Sequence, residues 1–263
     1  MTPDSSPALP ASRSSPIACF ASDGTSIIGE VFFPPEKARA TVLVAHGLPS
    51  GAERTAEDDP GYPGLARAIA ELGVTVVIFN FRGTGASGGH LEVDRWPDDL
   101  AAVIDAWERA PWRADPLIGV GSSTGGSAMI VQSARDARLR HVITFAAPGD
   151  FSFLDAANAP EAWFDLYRRL GMIRDGYTKS PREWAESFAR LRAFDAVSRC
   201  LAETLTILHG EADEVVPLAH ARRLAEAAPH ARIEILPGVT HRMRRDPRAV
   251  DALLRRVEAL LAR

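Results

Sequence analysis

Lysine is nearly missing from this chain: of 30 basic residues only Lys37 and Lys179 are lysines. Acidic residues number 34, so the net charge is -4 and the pI lies near 6.0, which argues against a nucleic-acid partner. Cysteine is equally scarce. Cys19 and Cys200 stand far apart in no metal-ligand spacing, and are expected to be two small buried thiols rather than a disulfide or a metal site. No run of residues approaches the roughly 18 consecutive apolar positions of a membrane span. The opening stretch, MTPDSSPALPASRSSP, lacks the basic start and apolar core of a secretion signal; residues 1–16 read as a flexible, disordered tail. A cytoplasmic protein is the expectation.

What is abundant is apolar: 46% of 263 residues, enough for one large core. PIACFASDG and TSIIGEVFFPP predict an antiparallel hairpin turning at Asp23-Gly24 and closed by Pro34-Pro35. Continuous Val/Ile-rich runs follow at 40–47, 74–81, 116–122, 141–148, 204–210 and 231–238, as strands buried on both faces require. Between them, 62–73, 95–110, 124–137, 217–228 and 246–263 carry apolar residues at helical spacing. The alternation predicts an α/β domain over 17–263, with a mostly parallel sheet covered by helices on both faces. The rhythm breaks once. Residues 149 to about 200 hold helical pieces and no convincing strand, which reads as a short helical insertion after the sixth strand.

Gly121-Ser122-Ser123-Thr124-Gly125 matches G-x-S-x-G directly after a buried strand and at the start of a helix. A serine forced into so sharp a turn needs tiny neighbours two residues away on either side, because a Cβ there would clash. The turn lifts Oγ above the sheet with helix N–H groups behind it. Ser122 lacks glycines in that frame, leaving Ser123 as candidate nucleophile. A base must approach from another loop. Of seven histidines, His241 alone follows the last predicted strand, and chain order nucleophile–acid–histidine marks it as the candidate base. The acid belongs after the preceding strand, where HGEADEVVP offers Glu211, Asp213 and Glu214. Asp213, one turn beyond the strand end, is preferred, with Asp150 as rival. Acyl transfer also needs donors aimed at the developing oxyanion. The N–H of Thr124 is one candidate. The N–H of Leu48 is the other, since Gly47 gives the chain freedom to turn it inward.

Gly83-x-Gly85-x-x-Gly88 formally matches a dinucleotide fingerprint. No helix opens at those glycines and no acidic strand end follows at the proper distance, so a tight loop beside the site is expected instead. His46-Gly47, Phe81-Arg82-Gly83-x-Gly85-x-Ser87, Gly121-x-Ser123-x-Gly125-Gly126, His209-Gly210-x-x-Asp213-x-Val215-x-Pro217 and His241 together resemble the α/β-hydrolase superfamily. The likeness is to its serine aminopeptidase-like and carboxylesterase-like branches. That resemblance implies hydrolysis of an ester, thioester or amide without metal or organic cofactor, and a cap after the sixth strand. Branches acting on halides or epoxides carry Asp where this chain has Ser123.

Nine of the 19 aromatic residues fall between Phe151 and Phe194, within the expected cap. Some should line a cleft over Ser123 and favour apolar acyl groups, with Trp163 and Trp184 as the candidate substrate-binding residues. The function expected is therefore a serine hydrolase for carboxylic esters of small to medium apolar acyl groups, its partner a small-molecule substrate. Two alternatives stand beside it. An amidase or aminopeptidase would need acidic cap residues for a free amine, and Glu161, Asp165 and Asp175 are present, but so are Arg168, Arg169 and Arg174. A non-catalytic ligand-binding protein of the same fold is the other.

Overall fold

A computed structural model describes residues 13–49, 60–228 and 230–262. The expected hairpin is β1 (Ser14–Phe20) and β2 (Ser26–Phe32), antiparallel and turned where Gly24 adopts φ +82°. Then follow β3 (Thr41–Ala45), β4 (Thr75–Phe79), β5 (Leu117–Ser122), β6 (Leu139–Phe145), β7 (Thr204–Gly210) and β8 (Ala231–Leu236), in one sheet ordered β1-β2-β4-β3-β5-β6-β7-β8. From β3 to β8 every pairing is parallel, while β2 joins β4 antiparallel. One expectation needs correction at the N-terminus. Strand β1 begins at Ser14, inside the stretch read as tail, because its backbone zips to β2 from Ser14↔Phe32 onward. Little of it is buried and Pro16 sits within it, as an edge strand tolerates, so no apolar pattern announces it. Residues 1–12 of that tail lie outside the described residues.

Helices α1 (Gly61–Ala70), α2 (Trp96–Glu108) and α3 (Thr124–Ser133) alternate with the strands. The insertion between β6 and β7 holds α4 (Pro160–Arg169), α5 (Pro181–Arg190) and the short α6 (Ala193–Ala196). Helices α7 (Leu218–Ala227) and α8 (Pro247–Leu261) complete the chain. One face of the sheet packs against α1 and α8 through Leu65, Ile69, Leu253 and Val257. The other packs against α2, α3 and α7 through Leu100, Val103, Met129 and Leu224, and this core continues into the cap. Central strands buried on both faces by helices are what a continuous Val/Ile run demands. No helix among the described residues is long and apolar enough to cross a membrane.

The glycine loop after β4 is a clamp. Arg82 forms a two-pronged ion pair with the fully buried Asp99 of α2, and its Nη1 also donates to Asp23 in the hairpin turn at 2.7 Å. Ser87 donates to the Asn80 carbonyl and accepts from Ile28 N–H, folding the loop back onto β2. The glycines answer to the turn itself: Gly83 and Gly85 take φ +75° and +49°, and a Cβ on Gly83 would come within 2.2 Å of Leu91 N.

Candidate active site

Strand β5 ends at Ser122, and the next residue turns sharply: Ser123 has φ +49° and ψ -123°. A non-glycine residue held there is strained and persists only because its surroundings over-determine it. They do. Ser123 N–H donates to the Phe145 carbonyl at 2.7 Å, and Ser123 carbonyl accepts from Gly126 and Ser127 as α3 begins. A Cβ on Gly121 would come within 2.6 Å of Gly126 Cα, and one on Gly125 within 2.3 Å of the His46 carbonyl oxygen. The glycines flanking Ser123 are therefore steric necessities, as the sequence frame suggested.

The structure brings the expected base and acid together. His241 Nδ1 lies 2.9 and 3.1 Å from the two carboxylate oxygens of Asp213, whose side chain is fully buried. Burial pushes the Asp213 carboxyl up. The bond from His241, its charge, and the N–H groups of Val216 and Val215 outweigh that and hold the carboxyl below its usual range. Asp213 is thus ionised and fixes Nδ1 as the proton-bearing nitrogen, leaving Nε2 as the free acceptor. Glu214 accepts from the His241 backbone N–H and Glu211 from Gly238 N–H, so both shape the loops instead of touching the ring. The rival Asp150 bonds Ser152. His209, which ends β7 as a His-Gly pair, lies fully buried with Nε2 3.4 Å from Asp213 and 3.0 Å from the Val216 carbonyl.

Ser123 and His241 share the wall of a cavity of about 610 Å³. They are not hydrogen-bonded to each other, as is common before a substrate tightens the site. The expected oxyanion donors reach the same cavity. Thr124 N–H is the first of α3, with no intrahelical acceptor. On the facing loop, Phe81 N–H donates to His46 Nε2, so Nδ1 carries the proton and bonds the Gly47 carbonyl at 2.7 Å. Burial lowers the His46 pKa and keeps this ring neutral. Gly47 N–H donates to Tyr62 Oη, and Leu48 N–H has no partner among the described residues. His46 therefore anchors, by its carbonyl, the same peptide unit that carries the Leu48 N–H. Nothing in its His-Gly sequence context distinguished that task from simple packing.

The cap supplies the opposite wall through Phe151, Phe153, Leu154, Trp163, Tyr167 and Met172. Trp163 is where it was expected. Trp184 is not: it is 0% exposed, packs edge-on against Phe164 and Phe188, and donates Nε1–H to the Leu91 carbonyl at 2.6 Å. Spacing on α5 turns it into the cap core, so it does not line the cavity. Glu161, Asp165 and Asp175 do not line it either. After His241, Arg242 to Arg245 border the mouth, a feature with no motif to signal it. Among the described residues no group of three or more His, Cys, Asp or Glu could hold a metal ion.

A model of the alpha/beta hydrolase family matches residues 42–253, from β3 into α8. The chain belongs to this family. A monoacylglycerol lipase of Mycolicibacterium smegmatis is 25% identical over 259 residues, spanning 85% of this chain and 89% of its own. Among solved structures, the alpha/beta hydrolase GrgF of Penicillium sp. sh18 aligns with a TM-score of 0.73 at 17% identity, covering 95% of this chain and 98% of its own. The esterase domain of a Rhodothermus marinus protein aligns at 0.69 and 17%, covering 94% and 97%. At such identities the structural likeness speaks for the shared fold alone.

Proposed function

We propose that this alpha/beta hydrolase is a serine esterase acting on small to medium apolar acyl groups. The observation carrying that reading is a strained Ser123 at the start of α3, sharing one cavity with a His241 already locked to an ionised Asp213. As a substrate carbonyl arrives, His241 Nε2 takes the Ser123 proton and Oγ bonds the carbonyl carbon. The oxyanion that forms meets Leu48 and Thr124 N–H. Collapse breaks the ester C–O bond, and the imidazolium returns its proton to the departing alcohol. Water, deprotonated by the same ring, then releases the acid and restores the serine.

The apolar cap wall favours hydrocarbon next to the ester, each buried CH₂ contributing about 0.8 kcal/mol at best. The lipase and esterase relatives support ester chemistry, while among the described residues the one carboxylate lining the cavity, Glu214, is not in the cap and is engaged by the His241 backbone N–H. Labelling with a fluorophosphonate tests the assignment: one adduct is expected, mapping to the peptide with Ser123 and absent from Ser123→Ala. An adduct that survives in Ser123→Ala and disappears in Ser122→Ala would sink it.

A further inference from the structure

Among the described residues, Asn80 and Tyr167 are two polar side chains on the cavity wall that make no hydrogen bond within the protein, and the indole N–H of Trp163, beside Tyr167 on α4, is a third. Asn80 follows β4 and bonds only through its backbone, which donates to Ile28 and accepts from Ser87. Its amide lies flat over Gly85: an added Cβ there would come within 2.5–2.6 Å of the amide atoms. The second is Tyr167 on α4, 2% exposed, whose hydroxyl has no hydrogen bond and whose pKa burial alone drives upward. Both groups line the cavity, and a polar group there that makes no bond within the protein is left for water or a bound ligand to satisfy. The two residues belong to segments that are tied together. Leu91 N–H donates to the Met172 carbonyl, and Arg174 reaches the Gly85 carbonyl, binding the loop after Asn80 to the chain after Tyr167. The rest of the cap wall is hydrocarbon and aromatic: Phe151, Phe153, Leu154, Trp163 and Met172.

We infer that Asn80 and Tyr167 form a polar subsite that selects esters bearing a hydroxyl group. This rests on the esterase reading and narrows it. A carboxamide and a phenol each offer both a donor and an acceptor, and a hydroxyl is the small group that uses one of each. An apolar substrate that displaces water from this wall leaves both groups unpaired. A hydroxylated one satisfies them, and sites built to hydrogen-bond a substrate hydroxyl discriminate against its absence far better than apolar pockets discriminate by size. Neither residue touches the reacting atoms in this scheme; both determine specificity.

The hydroxyl could sit on the acyl chain or on the alcohol, and paired esters separate the two. One pair is ethyl butyrate and ethyl 3-hydroxybutyrate; the other is propyl butyrate and 2,3-dihydroxypropyl butyrate. The wild-type protein is expected to favour the hydroxylated member of one pair by about tenfold in kcat/KM, the worth of one well-made hydrogen bond. In Tyr167→Phe, and independently in Asn80→Ala, that ratio should collapse toward one, with fluorophosphonate labelling of Ser123 showing the site still folded. Ratios near one for both pairs in the wild type overturn the subsite. So does a preference that both substitutions leave intact. If no ester is cleaved and no serine is labelled, the esterase reading fails, and the subsite with it.

Discussion

The two walls of the cavity are built on different principles. The sheet wall is held by backbone: Ser123 is clamped by Phe145, Gly126 and Ser127, and glycines at 121 and 125 leave no space for any other residue. The cap wall is held by side chains. Tyr177 donates to Glu92, Lys179 pairs with the same carboxylate, Arg190 meets Asp94 at 2.7 Å, and Trp184 bonds Leu91. At its neck, Phe194 N–H donates to the Gly149 carbonyl. Most of the cap's ion pairs are partly exposed and individually worth at most about 1 kcal/mol. On the proposed function, chemistry sits on the wall clamped by backbone and selectivity on the wall held by side chains.

That contrast breaks most visibly at Ser123. Ser123→Ala should lower turnover at least about a thousandfold while the melting temperature holds, because the strain is in the backbone and not in the hydroxyl. Next comes the carboxylate. Asp213→Asn is expected to cost roughly a hundred- to ten-thousandfold in kcat, with Glu211→Gln and Glu214→Gln within about tenfold. A large loss in Asp150→Asn instead would place the acid after β6.

The cap wall should respond in specificity. Catalytic efficiency is expected to rise about three- to fourfold per CH₂ from acetyl to butyryl or hexanoyl esters and then fall. Trp163→Ala should move that optimum more than it changes the acetyl rate. A flat chain-length series would make the cap aromatics core and nothing more. Trp184→Phe should act on stability: it leaves the Leu91 carbonyl unpaired at a cost of about 1–3 kcal/mol, seen as a lower melting temperature with the chain-length optimum in place.

The smallest effect sits far from both walls, at the clamp under the glycine loop. Burial raises the Asp23 carboxyl, but the hydrogen bond and charge of Arg82 and the bonds from Thr25 win and bring it from 3.8 to about 2. A carboxyl with a depressed folded-state pKa adds stability above its unfolded value and loses it as pH falls through the folded one. Wild-type stability should therefore drop between about pH 4 and pH 2, and Asp23→Asn should flatten that part of the curve. Thermal melts across this range decide it.

Strand runs, the elbow glycines and the chain order that pointed to His241 and to the carboxylates at 211–214 were all legible because each follows from local geometry or period. Trp163 and Trp184 were not separable that way. Both are cap tryptophans on helices of ten residues, and only the packing of α4 against α5 turns one toward the cavity and the other into the core. Strand β1 was missed from Ser14 to Pro16 because an edge strand with one exposed face lacks an apolar signature. Asn80 carried no signal at all, since its meaning depends on Gly85 lying beneath its amide.

By itself the sequence determined the sheet, its helices and the turn at Ser123, since buried parallel strands demand continuous apolar runs and a left-handed serine demands glycine neighbours. Only the tertiary structure decided which of three nearby carboxylates meets His241, which loop N–H is left without a partner, and which cap side chains face the cavity. Those outcomes depend on how loops distant in sequence fold back over the ends of the strands, and no local period or propensity encodes such an approach.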